Sequence, residues 1–138
     1  MNIIPLLLKE LEQEAATTRK MLSRIPEDKF EWRPHPKSMN IGRLSMHIAE
    51  LPGWITMTFD TDGLDFAKSG YVAKEATSVK GLLEEFENNF ASGKTSLEKA
   101  QESELSLPWI LRNGDTILQN YTKYETIRVS LGQLIHHR

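Results

Sequence analysis

Four stretches of this chain space their apolar residues by threes and fours, a pattern that fits amphipathic helices and little else. The first carries Ile4, Leu8, Leu11, Ala15, Thr18, Leu22 and Ile25 on one face, with Glu10, Glu12, Gln13, Arg19 and Lys20 opposite, and Pro26 ends it. The second is expected to start after Ser38, an N-cap residue type, and to carry Ile41, Leu44, Ile48, Leu51, Ile55 and Phe59. Pro52-Gly53 lies inside that stripe and predicts a kink or a break. The third runs from Ser78 with Val79, Leu82, Phe86, Phe90 and Leu97 inward, and Glu84, Glu85 and Glu87 mostly outward. The last begins near Tyr121 and turns Tyr124, Ile127, Leu131 and Leu134 inward.

Two connections are more than turns. Residues 60–77 are long, polar and glycine-containing. Residues 105–119 alternate around Asn113-Gly114, a strong hairpin signal. The expected fold is therefore all-α: one antiparallel four-helix bundle with irregular crossovers and a small β-hairpin before the last helix. At 138 residues the chain suits a single domain over residues 1–138.

Composition narrows the chemistry. There is no cysteine, which excludes a disulfide framework, a thiolate metal site and a cysteine nucleophile together. Any metal must sit on histidine, carboxylate or amide oxygen, and the chain has four histidines. With 19 acidic against 17 basic residues, the net charge of −2 lacks the basic excess that phosphate binding needs, so nucleic acid is not the expected partner. The apolar run from Ile3 to Leu8 is broken by Pro5 and closed by Lys9-Glu10. It is too short to span a membrane and lacks the basic start of a secretory signal. A cytoplasmic protein is expected, in which the Asn120-Tyr121-Thr122 sequon is a chance match.

Few residues are placed for chemistry. His47 lies on or beside the buried stripe of the second helix, where a lone histidine is by default a hydrogen-bonded core residue. Glu50 follows it by three, the reverse of the Glu-x-x-His order of di-iron bundles. Near the chain end Thr126, Ser130, Gln133 and His137 form a polar stripe beside the apolar one, facing a cavity, a partner or solvent. Gln133 and His137, four apart, can reach one metal, whereas His136 and His137 point about 100° apart. His35 reads as surface loop, and Trp32, Trp54 and Trp109 as core or crossover anchors. Asp60, Asp62 and Asp65 lack calcium-loop spacing. No nucleophile elbow or glycine-rich phosphate loop is present.

The run Glu31-Trp32-Arg33-Pro34-His35-Pro36-Lys37-Ser38-Met39-Asn40-Ile41-Gly42-Arg43-Leu44, followed by His47-Ile48-Ala49-Glu50-Leu51-Pro52-Gly53-Trp54, resembles the N-terminal half of DinB-like (DinB/YfiT) bundle proteins. Ile25-Pro26-Glu27-Asp28, the hairpin from Trp109 to Asn113-Gly114 and the terminal His136-His137-Arg138 fall where that family has them. The resemblance implies an up-down-down-up four-helix bundle with a divalent metal, zinc or nickel, held between helices. Its first ligand maps to His47, and the His-x-x-x-His-Arg pair of the last helix maps to Gln133 and His137. Glutamine at position 133 is a departure, because an amide oxygen binds zinc or nickel more weakly than imidazole. Activities in the family imply a thiol-dependent transferase or isomerase with a low-molecular-weight thiol and a small-molecule substrate. Glu50 is the nearest nominee for a general base, and Arg138 for holding an anionic co-substrate. Family members also continue beyond His-His-Arg, which would leave core stripe uncovered here and implies a homodimer. The other reading is a non-catalytic bundle or dimerisation module with a degenerate metal site.

Overall fold

The computed structural model describes residues 2–138, and in it the periodicity becomes helices with one interruption. Helix α1 spans Ile4–Ser23, with Pro5 in the first turn, where no intrahelical N–H is needed. The second stripe is cut in two: α2 spans Ile41–Glu50 and α3 spans Gly53–Asp60. Among the described residues there are thus five α-helices, counting α4 over Val79–Lys99 and α5 over Lys123–His137. Pro52 has no N–H to continue the ladder, and the carbonyls freed at the break are taken up by neighbours. The Ser130 hydroxyl of α5 donates to Leu51 O at 2.7 Å, and Asn89 Nδ2 of α4 donates to Ala49 O at 3.1 Å. Gly93 on α4 lets its backbone lie against Pro52 O, a place where any Cβ would collide.

Helix ends follow cap chemistry more than apolar spacing. The N-cap of α2 is Asn40, two residues beyond Ser38, and its Oδ1 accepts from Arg43 N at 2.8 Å. Ser78 caps α4 as expected, accepting from Gly81 N at 3.0 Å. Thr122 and Glu125 form a reciprocal capping box, so α5 starts at Lys123 while Tyr121 and Thr122 stay in a strand.

The expected hairpin is present as β2 (Pro108–Asn113) and β3 (Thr116–Thr122). Its turn residues are Gly114-Asp115, one step later than the Asn-Gly pair. Gly114 has φ 62° at the position where a two-residue turn favours glycine. The all-α expectation is corrected by a third strand, β1 (Gly63–Asp65), which the long polar connection concealed. It pairs parallel to β2 and gives a three-stranded sheet of order β1-β2-β3. Asp65 fastens it: Oδ1 accepts from Ala67 N at 3.0 Å and from Gly114 N at 2.9 Å.

Those bonds, the one from Gly114 foremost, hold the Asp65 carboxyl below its usual value of 3.8. The stabilisation they give is complete above that value and is lost as pH falls through the depressed one. Asp65→Ala should therefore lower the melting temperature at neutral pH and flatten the acid limb of the stability curve. Melts in a pH series from about 6 down to 2 read both effects across the window where this carboxyl titrates. An unchanged acid limb would show that the carboxylate does not tie β1 to the hairpin.

Two apolar clusters fill the interior. One gathers Leu22, Ile48, Leu51, Leu82, Phe86 and Leu134, and the other Leu7, Leu11, Ile55, Leu97, Ile127 and Leu131, with Phe90 against both. Arg19–Glu87 and Arg128–Glu10 bridge helices at the surface, where such pairs add little. Among the described residues no helix is long and apolar enough to cross a membrane.

Candidate functional site

The break between α2 and α3 leaves α5 running beside the end of α2, and the polar stripe of α5 divides there. Its first half serves the backbone: Thr126 Oγ1 donates to Thr122 O at 3.1 Å, and Ser130 to Leu51 O as above. Its second half turns to His47. The His47 and His137 rings lie edge to face with centroids 4.8 Å apart, and His137 Nε2 meets Gln133 Oε1 at 2.7 Å. The Trp54 ring of α3 stands against His47 at 5.9 Å. His136 is exposed, flanking His137 on the outer side with ring centroids 4.9 Å apart.

Burial lowers the pKa of both imidazoles. At His47 the Glu50 carboxylate opposes that shift and Arg43 reinforces it, while His137 is pushed further down by His47 and His136. The neutral form of both rings is therefore favoured at neutral pH; at His137 the Nε2–H donates to Gln133 Oε1, which leaves the ring's lone pair on Nδ1. Two neutral imidazoles and an amide oxygen form a donor set of the kind zinc or nickel accepts, with positions left for other ligands. Among the described residues no group of three His, Cys, Asp or Glu could hold a metal, and Gln133 is the donor that stands beside the histidine pair.

The histidine pair opens onto a cavity of about 720 Å³, a volume suited to a small molecule. Trp54, Met57, Leu64 and Trp109 form much of its apolar wall, and Arg43, Tyr71 and Lys74 reach it from α2 and from the connection after β1. Trp109 is 3% exposed and anchored by Nε1 donating to Thr61 Oγ1 at 3.1 Å. That connection is docked at Gly42, where Ala76 N donates to Gly42 O at 2.9 Å. An added Cβ on Gly42 would come within 2.6 Å of Ala76 O.

Other nominees are engaged elsewhere. Glu50 Oε2 accepts the Tyr71 hydroxyl at 2.7 Å and is not part of the cavity wall. Arg138 turns to α1, pairing with Glu14 at 2.6 Å and reaching Thr18 Oγ1 at 3.4 Å, rather than facing the cavity. His35 is in an exposed loop, its Nδ1 accepting from Lys37 N at 3.1 Å. Reading the residues in order passed over Arg43, although it lies four before His47 and so on the same helical face. Tyr71 and Lys74 offered no periodic signal, only membership of an overlong connection.

No curated protein matches this sequence. Solved structures do match the fold. A DinB-like protein from Bacillus cereus ATCC 10987 superposes with a TM-score of 0.71 at 17% identity, covering 96% of this chain and 83% of its own. A mycothiol-dependent maleylpyruvate isomerase superposes with a TM-score of 0.67 at 13% identity, covering 97% of this chain and 59% of its own. At such identities the likeness shows the fold alone. The sequence profile of the DinB family matches residues 1–138, and the chain belongs to that family.

Proposed function

We propose that this protein binds a divalent transition metal through His47, Gln133 and His137 and uses it in thiol chemistry on a small molecule, as a cytoplasmic transferase or isomerase. In this reading α2 and α3 count as one broken rod of an up-down-down-up bundle. The observation that carries the proposal is the convergence of His47, Gln133 and His137 from two helices at the head of an apolar cavity. The thiol dependence of the structurally similar isomerase supports the choice of chemistry. A bound metal of this kind would lower the pKa of a thiol or water and so supply a nucleophile at neutral pH.

The chain's own residues have separate tasks. His47 and His137 offer lone pairs that burial keeps unprotonated, and Gln133 offers a weaker oxygen or orients water. Trp54, Met57 and Trp109 exclude water from the reacting groups. Glu50, the carboxylate of α2, lies outside the cavity wall and holds the Tyr71 hydroxyl that lines it, so any part it has in moving a proton would run through that hydroxyl.

Glutathione titrated into the cobalt-loaded protein tests this directly. A thiolate-to-cobalt absorption band is expected in the wild type and not in His47→Ala. No band, or an equal band in the variant, would overturn the proposal. The second reading, a non-catalytic or dimerising bundle with a degenerate site, is favoured by Gln133, since no third His, Cys, Asp or Glu completes the set among the described residues.

A further inference from the structure

The cavity beside His47 carries charge of one sign. Arg43 and Lys74 line it together with the two histidines, and among the described residues no aspartate or glutamate does. This holds in a chain whose acidic residues outnumber its basic ones, 19 to 17. Arg43 stands one helical turn before His47, so the two side chains leave α2 from one face, roughly 6 Å apart along the axis.

Among the described residues no carboxylate pairs with the Arg43 guanidinium. Glu50 accepts from the Tyr71 hydroxyl at 2.7 Å and keeps its charge outside the wall, Glu75 accepts from Asn40 Nδ2 at 3.3 Å, and neither forms an ion pair with Arg43. Lys74 has only a loose pair with Glu85 at 3.7 Å. No described carboxylate touches the guanidinium on the cavity side, which leaves that face of Arg43 to water or to the occupant. A neutral apolar occupant would displace water from the cavity side of Arg43 and offer that side no partner in return. A cation would be repelled. A carboxylate meets the guanidinium fork in two parallel hydrogen bonds.

We infer that the small molecule taken by this cavity is an organic anion: a compact apolar or aromatic body against Trp54, Met57 and Trp109, with its carboxylate on Arg43 and Lys74 as a second, looser cation. The inference rests on the cavity being the reaction chamber proposed above, but it does not need the metal. A divalent cation on neutral ligands would add charge of the same sign and strengthen the preference.

The test uses metal-free protein in chelator, labelled with nitrogen-15. The probes are trans-cinnamate and its neutral isostere trans-cinnamamide, followed at the Trp54 and Trp109 indole N–H signals. Cinnamate is expected to bind about tenfold more tightly than cinnamamide, the worth of one good charge-assisted contact. Arg43→Gln, a change at an exposed side chain, should remove that preference and leave cinnamamide affinity within about twofold, and Lys74→Gln should weaken cinnamate only about threefold. Equal binding of the two probes, an unchanged preference in Arg43→Gln, perturbation away from both tryptophans, or no binding of either probe would overturn the inference. Failure of the protein to bind metal would leave all of these readings intact, so the two proposals fail separately.

Discussion

Gln133→His should tighten zinc or nickel binding by about 10–100-fold, at least the range produced by changes one shell further out from a metal. The reason is local. Position 133 lies one turn before His137, and its side chain already points at that ring, with Oε1 2.7 Å from Nε2. Gln133 is half-buried and outside the two apolar clusters, so imidazole can replace the amide without overpacking the core. An amide oxygen is a neutral, weakly basic donor, whereas imidazole is a preferred ligand for both metals. Competition against a chromogenic chelator measures the ratio. Equal affinity of wild type and variant would mean that position 133 does not face the ion.

Phe86→Ala should cost about 3–5 kcal/mol of folding stability, a large share of the roughly 5–15 kcal/mol that holds a domain together. The Phe86 ring is fully buried in the cluster shared by α1, α2 and α4. It stacks at 6.3 Å on Phe90 and lies 5.8 Å beneath the Arg19 guanidinium. Truncation would lose the transfer free energy of the ring and leave a cavity between helices that cannot close it. Phe86→Leu keeps most of the volume and should cost less than about 1.5 kcal/mol. Denaturant unfolding of the pair gives both numbers, and equal costs would place the ring outside the core.

The helices were legible because their spacing marks a buried stripe: Leu82, Phe86 and Leu97 are all fully buried, although Tyr124, expected inward on α5, is exposed. The break was legible for an equally local reason, the missing N–H of Pro52. What escaped depends on distant partners. Three residues, Gly63–Asp65, have no periodicity of their own, and they become a strand because β2 offers an edge and Asp65 reaches Gly114 across 49 positions. Ser38 and Asn40 are equally good caps on paper, and the choice of Asn40 goes with its burial and its second bond to Glu75. At the candidate site, residue types and helical phase marked His47, Gln133 and His137. The cavity wall could not be read the same way, since Arg43, Tyr71, Lys74 and Trp109 meet only through the folded connections. The orientation of Arg138 toward Glu14 was likewise invisible until α1 and α5 were side by side.

The central claim, a divalent ion held by His47, Gln133 and His137, is tested most directly by metal content. The purified protein would be equilibrated with zinc or nickel, freed of loosely held ions and assayed by mass spectrometry of its elements, beside His47→Ala and Gln133→His. The account predicts one ion per chain in the wild type and in Gln133→His, and none in His47→Ala. A wild type that retains no ion while Gln133→His does, or a His47→Ala protein that keeps its ion, would contradict it.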